Sequence, residues 1–96
     1  MVAYCMVRID VNNDAEYAKY AALAGPAVAK YGGEFLARGG NAVTKEGPTR
    51  ARNVIIKFKD FETANTFYDG PEYQEALAFA LAEGVSTREY TIVEGI

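Results

Sequence analysis

Between Lys30 and Gly40 the chain reads Lys-Tyr-Gly-Gly-Glu-Phe-Leu-Ala-Arg-Gly-Gly, and this stretch limits the fold more than any other. It ends a helical pattern, turns on Gly32-Gly33, runs one short strand over Glu34–Arg38, and leaves through Gly39-Gly40. A glycine pair after a helix suits the left-handed cap that a β-carbon opposes. A helix followed at once by a strand calls for a sheet with helices packed against it. Arg38 is the one permanent charge at the exit of an otherwise apolar segment.

The rest of the chain supplies the partners. Val2–Ile9 alternates Val2, Tyr4, Met6 and Arg8 with Ala3, Cys5, Val7 and Ile9, which predicts a strand. Asn13, with Glu16 three residues on, opens a helix in the manner of a capping box. Tyr17, Tyr20, Ala21, Ala24, Ala27, Val28 and Tyr31 recur at helical spacing and define its buried face. Gly25-Pro26 falls inside that pattern and predicts a kink or a break, because proline lacks the N–H and crowds the preceding turn. Asn41–Thr49 reads as a short strand with a turn at Gly47-Pro48. Arg52–Phe58, rich in β-branched residues, is the clearest strand. Asp60 caps a helix with Phe61, Ala64, Phe67 and Tyr68 on its apolar side. Gly70-Pro71 starts another, with Tyr73, Ala76, Leu77, Ala80 and Leu81 buried and Gly84 at its end. Arg88–Glu94 is the last strand.

The order βαββαβ, with short connections and right-handed crossovers, predicts a ferredoxin-like α+β sandwich: one antiparallel sheet with helices on one face, in a single domain over residues 1–96. An open sheet with one wet face alternates cleanly between apolar and polar residues. These strands do not: Val54, Ile56 and Phe58 share one side while Ile55 lies on the other, and the first strand is mostly apolar on both. A second copy closing over the free face is the expectation, giving a homodimer built as a dimeric α+β barrel.

Composition removes whole classes of chemistry. The 96 residues contain no histidine, no tryptophan and one cysteine. Ser-His-Asp and Cys-His catalysis are excluded, no metal centre is expected, and Cys5 has no histidine to make it a thiolate. Ten Lys and Arg against 13 Asp and Glu give a net charge of −3; the basic residues are scattered, so no nucleic-acid partner is expected. No apolar run approaches the roughly 20 residues that span a bilayer, and Met1–Arg8 lacks the order of a signal peptide, so no membrane association is expected. A single cysteine makes a reducing cytoplasm the expected compartment.

Six motifs occur in sequence: Ala29-Lys30-Tyr31-Gly32-Gly33, Arg38-Gly39-Gly40, Glu46-Gly47, Arg52–Phe58, Pro71-Glu72-Tyr73-Gln74 and Ile92-Val93-Glu94-Gly95. Together, and essentially end to end, they resemble the family of small bacterial proteins known as domain of unknown function 1330. The resemblance implies a dimeric α+β barrel and carries no catalytic residue. It implies no cofactor; related α+β barrels include cofactor-independent oxygenases and isomerases. Gly70 stands where the family usually has a serine before Pro-Glu-Tyr, which implies a weaker helix cap.

Candidate binding residues are Arg38, Asn53, Tyr17 and Tyr68. The donor fork of Arg38 suits a carboxylate or another anionic oxygen, or else a salt bridge to Glu34 or Glu46. Asn53 either orients a ligand or bonds a neighbouring loop. Tyr17 and Tyr68, with Tyr20 and Tyr31, either place hydroxyls around an apolar cavity or pack the core. Cys5 reads as a small buried hydrophobe, Glu46 as a turn residue, and Glu72, Glu75 and Glu83 as a solvated helix face. Arg38-Gly39-Gly40 is no phosphate loop, since no helix start follows it. Two functions stay open. One is a pocket for a small organic acid or carbonyl compound, in which Arg38 polarises the ligand and a Tyr or Glu moves a proton. The other is a non-catalytic binding or regulatory homodimer.

Overall fold

Apolar alternation sets the sheet. In a computed structural model, which describes residues 1–96, Ala3, Cys5, Val7 and Ile9 of strand β1 (Ala3–Val11) are all buried. So are Val54, Ile56 and Phe58 of β3 (Arg52–Phe58). With β2 (Glu34–Arg38) and β4 (Ser86–Glu94) they form one antiparallel sheet in the order β2-β3-β1-β4. Three helices, α1 (Asp14–Lys30), α2 (Phe61–Asp69) and α3 (Pro71–Leu81), cover the face these residues point to. This is the ferredoxin-like α+β arrangement. None of the helices is long and apolar enough to cross a membrane.

Helix starts follow the sequence. The Asn13 side chain accepts the Glu16 N–H at 3.1 Å, and Asp60 accepts the Thr63 N–H at 2.7 Å. Gly70 caps α3 with no side-chain bond. A β-carbon there would stand 2.6 Å from the Tyr31 hydroxyl, so the room a serine needs is taken by that hydroxyl. Tyr31 Oη donates to Glu72 Oε1 at 2.7 Å, and Lys30 Nζ bonds Glu72 Oε2. Glu72 is therefore a clamp between the end of α1 and the start of α3, not part of a free solvated face.

Two expectations are corrected. Helix α1 runs unbroken through Gly25-Pro26. Ala22 and Pro26 are both exposed, so the carbonyl that loses its partner is on the solvent side of the helix, and Gly25 offers no β-carbon to crowd the proline ring. Residues 41–49 form no strand, and β2 pairs directly with β3. Arg50 Nη1 bonds Asp10 at 3.0 Å and Arg8 bonds the Pro48 carbonyl, so side chains of β1 tie down the loop in place of a hairpin.

The second sheet face carries Met6 (42% exposed), Ile55 (36%), Val93 (41%) and Leu36 (50%), a set of large apolar side chains left open. Met6 stands directly opposite Ile55, and Tyr4 opposite Val93.

Candidate functional site

One register fault decides where Arg38 points. Glu34 pairs with Lys57 and Phe35 with Ile56, but Ala37 pairs with Ile55 and Arg38 with Val54. Leu36 is the extra residue of a β-bulge. Strict alternation from Phe35 would send Arg38 to the open face; the bulge turns it to the helix side, beside buried Val54.

There it meets a small cavity between the sheet and α1. The walls are Val7, Ile9, Val54, Ile56 and Phe35 from the strands, Tyr17, Tyr20, Ala21, Ala24 and Val28 from α1, and Tyr73 from α3. The two charged lining residues are Arg38 and Arg52; no carboxylate reaches it. Its volume is about 40 Å³, room for a water or two and far below the roughly 300 Å³ of a ligand pocket. An organic molecule enters only if side chains at the mouth swing aside. Tyr17 is 7% exposed, and burial, with Tyr20 next to it, pushes its hydroxyl pKa up.

Neither arginine has a carboxylate partner. The ion pairs of the chain are Arg8–Glu89, Lys19–Glu16, Lys30–Glu72, Arg50–Asp10 and Arg50–Glu89. Arg38 makes no salt bridge to Glu34 or Glu46; its guanidinium lies 4.1 Å from the centre of the Phe35 ring. Gly25 of α1 faces it, where a β-carbon would come 3.7 Å from Nη2. Arg52 lies on Gly39, where a β-carbon would come 2.4 Å from Nη1. Gly39 has φ +74°, and that left-handed backbone is what requires glycine here, since the Arg52 tip can swing away from a β-carbon.

Behind the cavity stands a group the strand pattern left unassigned. Arg88 pairs across from Ile9, as Arg52 does on the other side, so the two arginines flank Ile9 in one row facing the helices. Arg88 Nη2 donates to Tyr20 Oη at 3.0 Å and to Tyr73 Oη at 3.3 Å, and those hydroxyls lie 2.9 Å apart. Its guanidinium also sits 4.7 Å from the Tyr20 ring centre. Burial pushes the Tyr73 hydroxyl pKa far up, which keeps it protonated. The signal was in the sequence: Arg88 shares its strand parity with Tyr90 and Ile92, on the apolar side.

Of the candidate residues, the cavity brings together Arg38 and Tyr17. Tyr68 lies instead in an open groove between α2 and β4, with Phe61 and Tyr90. Asn53 is on the opposite sheet face, where Oδ1 accepts from Arg8 Nε and Nδ2 donates to the Arg50 carbonyl, both at 3.3 Å. Cys5 is fully buried; burial raises its pKa, and the Tyr90 hydroxyl pulls the other way.

A four-stranded antiparallel sheet with three helices on one face places the chain in the ferredoxin-like α+β class. Within it, the chain belongs to the family described as domain of unknown function (DUF1330), whose model matches residues 2–96. A search of curated proteins found no match. Among solved structures, a protein of unknown function from Rhodopseudomonas palustris is similar at TM-score 0.78 and 16% identity, covering 99% of this chain and 82% of that one. A dimeric ferredoxin-like protein of unknown function from Jannaschia sp. is similar at 0.74 and 16%, covering 99% and 100%. A cofactor-independent oxygenase from Streptomyces nogalater is similar at 0.65 and 18%, covering 99% and 93%. At these identities the likeness is one of fold.

Proposed function

We propose that this protein is a homodimer, joined through the open sheet face, whose subunits each bind a small organic acid or carbonyl compound between the sheet and α1. The observation that carries the reading is the pair of arginines at the mouth of an apolar cavity, with Arg38, exposed there, brought to the helix side by a bulge and no carboxylate pairing with either. In a chain of net charge −3, a cavity whose charges are all positive favours an anionic or electron-rich oxygen, and its apolar walls favour a carbon skeleton. Arg38, Arg52 and Tyr17 are the ligand contacts of this reading. The open apolar face supports the dimer, as does the description of the Jannaschia neighbour as dimeric. The oxygenase neighbour supports a cofactor-independent reaction on the bound molecule, with Arg38 polarising its oxygen.

The 40 Å³ volume favours a second reading, a binding or regulatory dimer with no chemistry and a cavity that its own side chains fill. Native mass spectrometry of gently purified protein separates the two. A dimer carrying extra mass that Arg38→Ala loses, with an unchanged melting temperature, is the expected result. An empty dimer that binds none of a panel of small carboxylic acids and phenols, in which Arg38→Ala lowers stability, supports the second reading. A monomer refutes the dimer.

A further inference from the structure

We propose that the Tyr20 hydroxyl is a preset hydrogen-bond donor to an anionic ligand oxygen in this cavity, with Tyr73 and Arg88 as positioning residues. The inference rests on the cavity reading above and follows from counting hydrogens. Arg88 Nη2 carries two, and both are committed: one to Tyr20 Oη at 3.0 Å, one to Tyr73 Oη at 3.3 Å. The two hydroxyls bring two more, and the 2.9 Å contact between them uses one. One hydroxyl hydrogen is left over. Tyr73 is 1% exposed and Tyr20 half-buried nearer the mouth, and both line the cavity. With Tyr73 donating to Tyr20, the Tyr20 oxygen accepts from two donors and its own hydrogen has no partner in the protein.

The acceptor it suits can be named by class. No carboxylate lines the cavity; two guanidinium groups, Arg38 and Arg52, line it, and a third, Arg88, holds the Tyr20 hydroxyl from behind. A hydroxyl whose oxygen already accepts from a cation and from a second hydroxyl is polarised towards donation, and such networks strengthen along their length. The arrangement favours the charged form of a bound oxygen over its neutral form. The walls are aliphatic and aromatic, so the ligand carries that oxygen on an apolar skeleton, and a phenolate is the form whose charge is simplest to follow. Bound that way, an ionisable phenol loses its proton at lower pH than it does free in water.

The probe is 4-nitrophenol, whose phenolate absorbs visible light and whose phenol does not, titrated into the intact protein and followed by absorbance across pH. The expected result is binding with the probe's apparent pKa lowered. Tyr20→Phe keeps the ring and is expected to melt somewhat lower, because Arg88 and Tyr73 lose an acceptor, and, while folded, to bind the phenolate about tenfold more weakly or worse with the pKa shift gone. Arg88→Lys keeps a cation, but its nitrogen lies one bond nearer the backbone than the Nη2 that serves both hydroxyls, so it is expected to shrink the shift even if Tyr20→Phe fails to fold. No binding by the unaltered protein overturns the cavity reading and this proposal together. Binding without a pKa shift, or a shift that survives in Tyr20→Phe or at full size in Arg88→Lys, overturns the tyrosine assignment and leaves the cavity reading in place.

Discussion

Gly33 sits where a methyl group has no room. A β-carbon there would lie 2.7 Å from Val28 Cγ1 and 2.8 Å from Phe58 Cε1, both buried in the core. Neither neighbour can retreat in a close-packed interior, so Gly33→Ala is expected to cost about 1–3 kcal/mol, read from urea midpoints. Glu72 gives a second prediction. Its hydrogen bonds from Lys30 and then Tyr31 lower its pKa from 4.5 to about 2. A lowered folded pKa means stability that is fully present above pH 4.5 and is lost as pH falls through 2. Glu72→Gln should therefore melt below the unaltered protein at neutral pH. The gap between them should close between pH 4.5 and 2; a gap constant across that range would refute the clamp.

Helix α1 shows what an element tolerates. Proline in a helix interior removes a hydrogen bond, yet α1 carries Pro26 without breaking, because the orphaned carbonyl is on the solvent side of the helix and Gly25 relieves the crowding. The strain remains in the balance. Pro26→Ala restores the bond at an exposed site and is expected to raise stability by about 1–2 kcal/mol, measured as a higher melting temperature. The bulge in β2 is the opposite case, an irregularity with a use: it sets Phe35 and Arg38 on one side although they are three residues apart. Much of this scale was legible in the sequence, since Asn13, Asp60 and Pro71 mark their helix starts and Val54-Ile55-Ile56 its strand. The unbroken α1, the missing strand at 41–49 and the bulge were not. Each depends on what the backbone packs against, and hydrogen bonds to distant residues such as Asp10 do not register in a local window.

At the scale of the whole molecule, the open sheet face is the feature that a single chain leaves unfinished. Met6 and Ile55 face each other at its centre, and the charged set Arg8, Asp10, Arg50 and Glu89 stands at one end. If two copies meet here, a charge at the centre is buried without a partner. Ile55→Glu is expected to turn a dimer into a folded monomer, read by light scattering with circular dichroism unchanged. An intact dimer in that variant would place the interface elsewhere.

The alternation of apolar residues and the capping residues by themselves determined the element order, the helix-covered face and the surplus of apolar side chains on the other. Those are short-range consequences of a period of two or 3.6 residues and of local hydrogen bonding. Only the tertiary structure decided the site. It took a one-residue bulge to bring Arg38 to the helix side of the sheet, and the pairing of β1 with both β3 and β4 to set Arg52 and Arg88 on either side of Ile9. The packing of α1 on α3 brought Tyr20 to Tyr73. Asn53, one residue from Arg52, went to the opposite face for the same reason: neighbours along a strand point apart, and residues far along the chain meet across it.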